Sequence, residues 1–152
     1  MPIGNINLSA MDIHILKTCD KESLKQINCL LRLLSPDSPE VGESRLSLLV
    51  GDAAFTLFIA RDDMDQIAGM LTLTGCPTLS CTKYWIEDVV VDSGLRGKGI
   101  GRALVRAAVR FVNERNDGSV IYLTSNPSRT AARNLYRSEG FEEYETGVFR
   151  IK

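Results

Sequence analysis

Val89-Val90-Val91-Asp92-Ser93-Gly94-Leu95-Arg96-Gly97-Lys98-Gly99-Ile100-Gly101-Arg102-Ala103-Leu104 is the stretch on which the reading of this chain turns. It joins the strongest strand signal, Tyr84 to Asp92, to the clearest helix. The strand is rich in β-branched residues. In the helix, Ile100, Ala103, Leu104, Ala107, Ala108, Phe111 and Val112 recur at helical spacing. Between them, glycines at alternate positions (97, 99 and 101) let the backbone turn tightly and approach a ligand closely. The first N–H groups of a helix lack internal partners and stand at the positive end of its dipole. A pyrophosphate suits that place, and Arg96, Lys98 and Arg102 add charge of the right sign. The competing reading is a tight turn without a ligand, since glycine-rich strand-to-helix turns are common.

Two other phosphate motifs fail on this stretch. A Walker loop needs glycine where Asp92 stands and Ser or Thr where Gly99 follows Lys98. The dinucleotide fingerprint, counted from Gly97, needs a third glycine where Arg102 stands. With no Mg²⁺-binding constellation in the pattern either, a nucleotide-dependent phosphotransferase is poorly supported.

Working outward, Met11 to Leu16 reads as a short strand carrying His14 between apolar neighbours. Asp20 can cap a helix whose stripe is Leu24, Ile27, Leu30, Leu31 and Leu34, ended by Ser35-Pro36. Pro39 to Leu49 holds a weaker helical pattern. Phe55 to Arg61 and Gln66 to Thr74 read as a hairpin about the turn Asp62 to Asp65, and Cys76 to Thr82 as a polar loop. Beyond the glycine turn and its helix, Asn116-Asp117-Gly118 is a stop and Val120 to Thr124 a strand. A helix from Arg129 to Glu139 is closed by Gly140, with Phe141 as the accompanying apolar contact. A last strand is expected from about Glu145 to Ile151. The order is β-α-α-β-β-β-α-β-α-β, an α/β (α+β) class. A mixed sheet is covered by helices and contains one parallel strand-helix-strand crossover.

Composition sets the bounds. A chain of 152 residues is a usual size for one domain and long enough for a real core. Residues 1–152 are read as one unit, with no repeat or linker. The formal net charge of −1, with charges interspersed, argues against general nucleic-acid binding. No apolar run approaches ~18 residues, and Met1 to Ala10 lacks the marks of a signal peptide, so a cytoplasmic, non-membrane protein is expected. The four cysteines (Cys19, Cys29, Cys76 and Cys81) form no C-x-x-C pair. With a single histidine no zinc spacing is available, so free, partly buried thiols and no metal are expected.

Arg96-Gly97-Lys98-Gly99-Ile100-Gly101 resembles the R/Q-x-x-G-x-G/A acetyl-CoA signature of the GNAT N-acetyltransferase superfamily. Ala132-Arg133-Asn134-Leu135-Tyr136 and Gly140-Phe141 resemble its second element, so the likeness covers about residues 85 to 141. Ile86 to Asp92 with Arg96-Gly97-Lys98 looks particularly like the glucosamine-phosphate acetyltransferase branch. The resemblance implies a mostly antiparallel mixed sheet of six or seven strands with helices on both faces. It also implies a splayed parallel pair, here Tyr84 to Asp92 and Val120 to Thr124. It implies acetyl-CoA as donor, with Val89, Val90 and Val91 meeting the pantetheine arm through main chain. The amides from Arg96 through Gly97, Lys98, Gly99, Ile100, Gly101 and Arg102 would hold the pyrophosphate.

The same resemblance implies transfer to an amine of a small molecule or peptide. It implies Tyr136 as the acid that protonates the departing thiolate; the alternative is a buried aromatic with a satisfied hydroxyl. Glu87 is the candidate base or amine ligand, against a solvated strand-end carboxylate. Strand alternation sends Glu87 and Asp88 to opposite faces, so one of the two would face the cleft. Many members carry Asn three residues before the alanine of the second element. Here Arg129 stands there and Asn126 lies three residues earlier, so either Asn126 or Arg129 would contact CoA. Arg102 would meet the 3′-phosphate, with Arg106 and Arg110 as an exposed basic stripe. Glu142, Glu143 and Glu145 would attract a cationic amine or simply form a solvated face. A homodimer is also compatible with the family. The alternative function is a non-catalytic CoA-binding sensor or regulatory module on the same fold.

Overall fold

The structure, a computed structural model, describes residues 12–152. Met11, first residue of the expected opening strand, lies outside them. The elements are β1 (Ile13–Ile15), α1 (Lys21–Leu34), α2 (Glu43–Gly51), β2 (Phe55–Arg61), β3 (Ile67–Pro77), β4 (Thr82–Val91), α3 (Ile100–Asn113), β5 (Val120–Leu123) and α4 (Thr130–Ser138), with a 3₁₀ turn at Ser93–Leu95.

Local chemistry explains most boundaries. Asp20 caps α1, its carboxylate accepting from the Ser23 N–H at 2.8 Å and the Ser23 hydroxyl at 2.7 Å. The second helix starts at Glu43 rather than Pro39. Asn28, inside α1, brackets the Val41 backbone, donating to its carbonyl at 3.0 Å and accepting from its N–H at 2.8 Å. That pairing holds the preceding segment out of helical form. Asp62 shapes the hairpin turn by accepting from the Met64 and Gln66 amides, each at 2.9 Å. The loop expected over Cys76 to Thr82 is shorter, because β3 runs to Pro77 and β4 begins at Thr82. The four cysteines are free, though Cys29 and Cys76 are exposed rather than partly buried.

Among the described residues the sheet has five strands in the order β1-β2-β3-β4-β5, antiparallel except for the parallel β4–β5 pair. One face carries α3 and α4, through Leu71, Leu73, Ile86, Leu104, Val105, Ala108 and Tyr136. The other carries α1 and α2, through Ile27, Leu30, Leu46, Ile59, Met70 and Val90. Gly69 in β3 lets α3 come down close on the sheet. A Cβ there would stand 3.1 Å from Ile100 Cγ2 and 3.1 Å from the Val90 carbonyl oxygen. The start of α3 is thereby pressed against the end of β4.

α4 closes as its glycine suggests. Gly140 takes φ 90°, the Phe141 N–H donates to the Tyr136 carbonyl at 3.0 Å, and the Gly140 N–H donates to that of Arg137 at 3.1 Å. The strand expected from Glu145 to Ile151 does not form, so the sheet has five strands rather than six or seven. A strand pattern expresses side-chain preference, but a ladder needs a neighbouring edge to supply its hydrogen bonds. Among the described residues, none of the backbone hydrogen bonds ties 142–152 to the sheet.

Candidate acyl-donor and acceptor site

The glycine turn leaves a run of backbone donors unspent among the described residues. Asp92 anchors its start: its carboxylate accepts from Gly94 N–H at 2.9 Å and its carbonyl from Leu95 N–H at 3.0 Å. Gly97 and Gly99 then take φ 77° and φ 81°, the left-handed region where a side chain would be strained. Gly99 is the N-cap of α3 and offers no side chain, so the first helical bond is Ala103 N–H to the Gly99 carbonyl at 3.0 Å. Among the described residues, the amides from Gly97 to Arg102 have no acceptor. Those at the start of α3 stand at the positive end of its dipole. The ligand the sequence suggested is a diphosphate, and these donors fit one.

The basic side chains around the turn divide. Arg96 braces the strand end, its Nε donating to the Val91 carbonyl at 3.3 Å. Lys98 is half-buried. Arg102 is engaged elsewhere: it lies 3.2 Å from Glu139, at the end of α4, which also accepts from Arg106 Nε at 2.7 Å. Glu139 is largely buried, and the Arg106 hydrogen bond holds its carboxyl below the usual glutamate range. The expected stripe of Arg102, Arg106 and Arg110 is therefore a clamp joining α3 to α4 through its first two members.

Next to the turn, β4 and β5 part. Their pairing runs Lys83↔Val120, Tyr84↔Ile121, Trp85↔Tyr122 and Ile86↔Leu123, and there β5 ends. β4 continues through Val91, so among the described residues Glu87 to Val91 have no strand on that side. Ser125, just past the end of β5, holds a buried Oγ without a hydrogen-bond partner among the described residues. An extended amide-bearing chain laid in the opening would meet the strand backbone of Glu87 to Val91.

A β-bulge sits where β4 becomes unpaired. Met70 faces Val90 and Thr72 faces Glu87, so Asp88 and Val89 together oppose Leu71. Asp88 takes φ 48°, and its carboxylate accepts from the buried Thr72 hydroxyl at 3.0 Å. Glu87, opposite the same Thr72, shares its face. Glu87 and Asp88 therefore look to the same side, where unbroken alternation would have separated them. Partial desolvation of its carboxyl raises Glu87 above the ordinary carboxylate range, and the neighbouring Asp88 charge adds to it. The bulge also shifts the phase of the strand beyond it. Tyr84 and Ile86 face α3 before the bulge; Val89 and Val91 do so after it, while Val90 turns to α1.

On the Glu87 face the strand also presents Trp85, stacked on Tyr122 of β5 at 5.2 Å between centroids and 28° between planes. Lys83 Nζ lies 5.9 Å over the Tyr122 ring. Trp85, Tyr122 and Ser125 are residues that sequence reasoning passed over. Counting back by two from Glu87 would have reached Trp85.

Tyr136 comes from the α3 face. Its ring is buried in the core and stands edge-on to Phe141 at 6.1 Å. Burial raises its pKa, with Arg129 opposing. Among the described residues, no hydrogen bond reaches its hydroxyl, which is not sealed from solvent. Asn126 acts locally. Its Oδ1 accepts from the Ser128 N–H at 2.9 Å and hydroxyl at 2.8 Å, shaping the entry to α4. Glu143 is paired with Arg133 at 2.8 Å and with Arg137, which takes it out of any free acidic run.

An amide-lined turn opens here on a parted parallel seam. Residues 26–141 match the model of the acetyltransferase (GNAT) family, and the chain belongs to that family. It is an enzyme of the N-acetyltransferase class. The chain is 30% identical over 123 residues to the N-alpha-acetyltransferase RimI of Mycobacterium tuberculosis, covering 72% of this chain and 75% of that one. It spans only 33% of human N-acetyltransferase 8B, to which it is 33% identical over 75 residues, 49% of this chain. Among solved structures it superposes on aminoglycoside acetyltransferase AAC(6')-Iy in complex with a CoA bisubstrate analogue. The TM-score there is 0.74, at 21% identity, covering 93% of this chain and 97% of that one. At that identity the superposition speaks for the fold alone.

Proposed function

We propose that this chain transfers an acetyl group from acetyl-CoA to a primary amine of a small molecule or peptide, by direct attack within a ternary complex. The observation that carries the reading is the run of unpartnered amides from Gly97 to Arg102, placed where β4 leaves its parallel neighbour. In this reading those amides hold the pyrophosphate, and Val89, Val90 and Val91 align the pantetheine arm through main chain. Ser125 adds a hydroxyl on the far side of the seam, and Asn126 offers its side-chain NH₂.

The chemistry then needs three services. Glu87 takes a proton from the acceptor amine, directly or through water, so that a neutral nitrogen attacks the thioester carbon. Its raised pKa suits a base that must hold and release a proton nearer to neutrality. A backbone N–H at the bulge, beside Val89, receives the developing oxyanion. The C–N bond forms, the C–S bond breaks, and Tyr136 supplies a proton to the departing sulfur. Trp85 and Tyr122, on the face of Glu87, border the amine. RimI, named for N-alpha-acetyl transfer, and AAC(6')-Iy, named for aminoglycosides, bracket the acceptors worth testing. The working unit is residues 1–152 as one domain, acting in the cytoplasm and without a metal.

Calorimetry with CoA and acetyl-CoA tests the binding half, and thiol release with a panel of peptides, polyamines and amino sugars tests the transfer half. Absence of heat with both nucleotides would remove the reading altogether. Binding without thiol release from any amine would leave the non-catalytic module in its place.

A further inference from the structure

We infer that the acceptor is a peptide N-terminus with an acidic side chain at its third or fourth residue, and that Lys83 is the residue that selects it. The inference rests on the acetyl-transfer reading above and names the substrate class of that same site.

The ground is one face of β4. Its pairing with β3 is regular from Lys83↔Cys76 to Glu87↔Thr72, before the bulge begins. Lys83, Trp85 and Glu87 therefore share a face, opposite to Tyr84 and Ile86, which pack under α3. On that shared side of the sheet the core beneath α1 and α2 takes Leu57, Ile59, Met70 and Val90. Among the described residues, neither Trp85 nor its β5 partner Tyr122 belongs to this core. Both are half-buried, and Glu87 is exposed. The helices thus leave a strip from Lys83 to Glu87 partly open, ending at the parted seam.

The strip is polarised along its length. The Glu87 and Asp88 carboxylates stand at the end next to the seam, where the acetyl donor would lie. Trp85 stacked on Tyr122 at 5.2 Å makes a flat apolar middle. Lys83 stands at the far end, its Nζ 5.9 Å over the Tyr122 ring. Among the described residues, no carboxylate pairs with it. A cationic amine at Glu87 that carries a negative group further on meets opposite charge at both ends. A polyamine or an aminoglycoside laid the same way brings another cation against Lys83.

Length separates the anionic candidates. From Glu87 to Lys83 the strand spans about 13 Å, and the lean of Lys83 over Tyr122 brings its ammonium somewhat nearer. An extended peptide advances roughly 3.3–3.6 Å per residue. With its terminal nitrogen at Glu87, its third or fourth side chain arrives at Lys83, and the residues between lie across Trp85. A hexosamine phosphate holds amine and phosphate on one ring and is too short to engage both ends. Lys83 is half-exposed, so the ion pair is worth about fivefold in discrimination rather than orders of magnitude.

Thiol release by the full chain from acetyl-CoA tests this, with octapeptides that have a free N-terminus and Glu, Gln or Lys at the third and fourth residues. The expected kcat/KM is about fivefold higher for the Glu peptide than for the Gln peptide. It is lower again for the Lys peptide, and the differences shrink at high salt. Lys83→Glu should invert the order, Lys83→Gln should erase it and Lys83→Arg should keep it, an outcome that a merely structural role for Lys83 would not produce. The wild-type series decides by itself if a variant fails to fold. Equal rates for the three peptides, a preference for Lys, or an order that survives Lys83→Glu would overturn the inference. So would transfer to polyamines or a hexosamine phosphate but to none of the peptides. Each of these leaves acetyl transfer standing, whereas acetyl-CoA that is neither bound nor cleaved with any amine would remove both.

Discussion

Replacing Tyr136 by Phe separates chemistry from binding and from folding, and the structure sets the size of each effect. The ring keeps its place in the core and its edge-on contact with Phe141 at 6.1 Å. Among the described residues the hydroxyl has no hydrogen-bond partner, so its removal breaks no bond and orphans no group. Stability should change by less than about 1 kcal/mol. General acids contribute about 10²–10⁴-fold. An alkyl thiol titrates near 8.5 and an unperturbed tyrosine near 10, so full proton transfer to the thiolate runs uphill by over a unit, or ~2 kcal/mol. Burial raises Tyr136 further, which steepens that climb while keeping the proton on the ring at neutral pH. Tyr136 therefore gives up its proton late, through a hydrogen bond to the sulfur that strengthens as charge develops, and the expected loss lies near the low end, about 10²-fold in kcat. Thiol release at saturating acetyl-CoA gives kcat, calorimetry gives the CoA Kd, and thermal melting gives the fold. The Kd should stay within about twofold, since the remaining contacts are untouched. An unchanged kcat, or parallel loss of kcat and affinity, would refute the acid role.

Other expectations come from the same geometry. Glu87→Gln should lower kcat with little effect on CoA affinity, and wild-type kcat/KM should fall as acidification protonates Glu87 at a pH above the usual carboxylate range. Asp88→Asn removes the like charge, so this acid limb should move to lower pH; a limb that stays put would mean that another group sets it. Gly99→Val places a branched side chain at φ 81°, costing about 1–3 kcal/mol, and should abolish CoA binding in calorimetry. Gly101→Ala should be tolerated in the fold, because its Cβ would meet Leu135 at 3.5 Å and Val91 at 3.8 Å, ordinary contact distances. Leu104→Ala, at a fully buried position between α3 and the sheet, should cost about 2–5 kcal/mol in urea unfolding.

The parts of this molecule that were legible in sequence are those decided by neighbours in the chain. Asp20 as a cap, the Asp62 turn, Gly140 as a helix stop and the amide-rich turn after Asp92 depend on residues within a few positions. Arg102 shows the first kind of failure. Its spacing with Arg106 suggested a basic stripe, but Glu139 lies 37 and 33 positions away and meets both only after α4 has docked. Asn28 and Val41 fail similarly: an asparagine inside a helix gives no sign that it will hold back the start of the next one. The C-terminal strand pattern records what residues 145–151 prefer, but among the described residues no backbone hydrogen bond joins them to the sheet.

The bulge at Asp88 was the most consequential omission, and alternation alone could not have revealed it. Val89-Val90-Val91 is apolar at every position, because both sheet faces bury a core here. A one-residue slip thus leaves no polar residue on the wrong side to betray it. Aspartate tolerates the left-handed region better than most residues but does not demand it. What selects it is Thr72, a buried hydroxyl on β3 that needs an acceptor and finds the Asp88 carboxylate at 3.0 Å. That one cross-strand bond accompanies the phase change that brings Glu87 and Asp88 to a common face and returns Val89 and Val91 to α3. The same turn of backbone coincides with the end of β5, so the parting of the strands and the placing of the carboxylates are two consequences of one local distortion. Thr72→Val, which keeps the shape and removes the donor, should therefore disturb the kcat/KM pH profile through Glu87 while leaving the amide-lined turn, and hence CoA affinity, as it was.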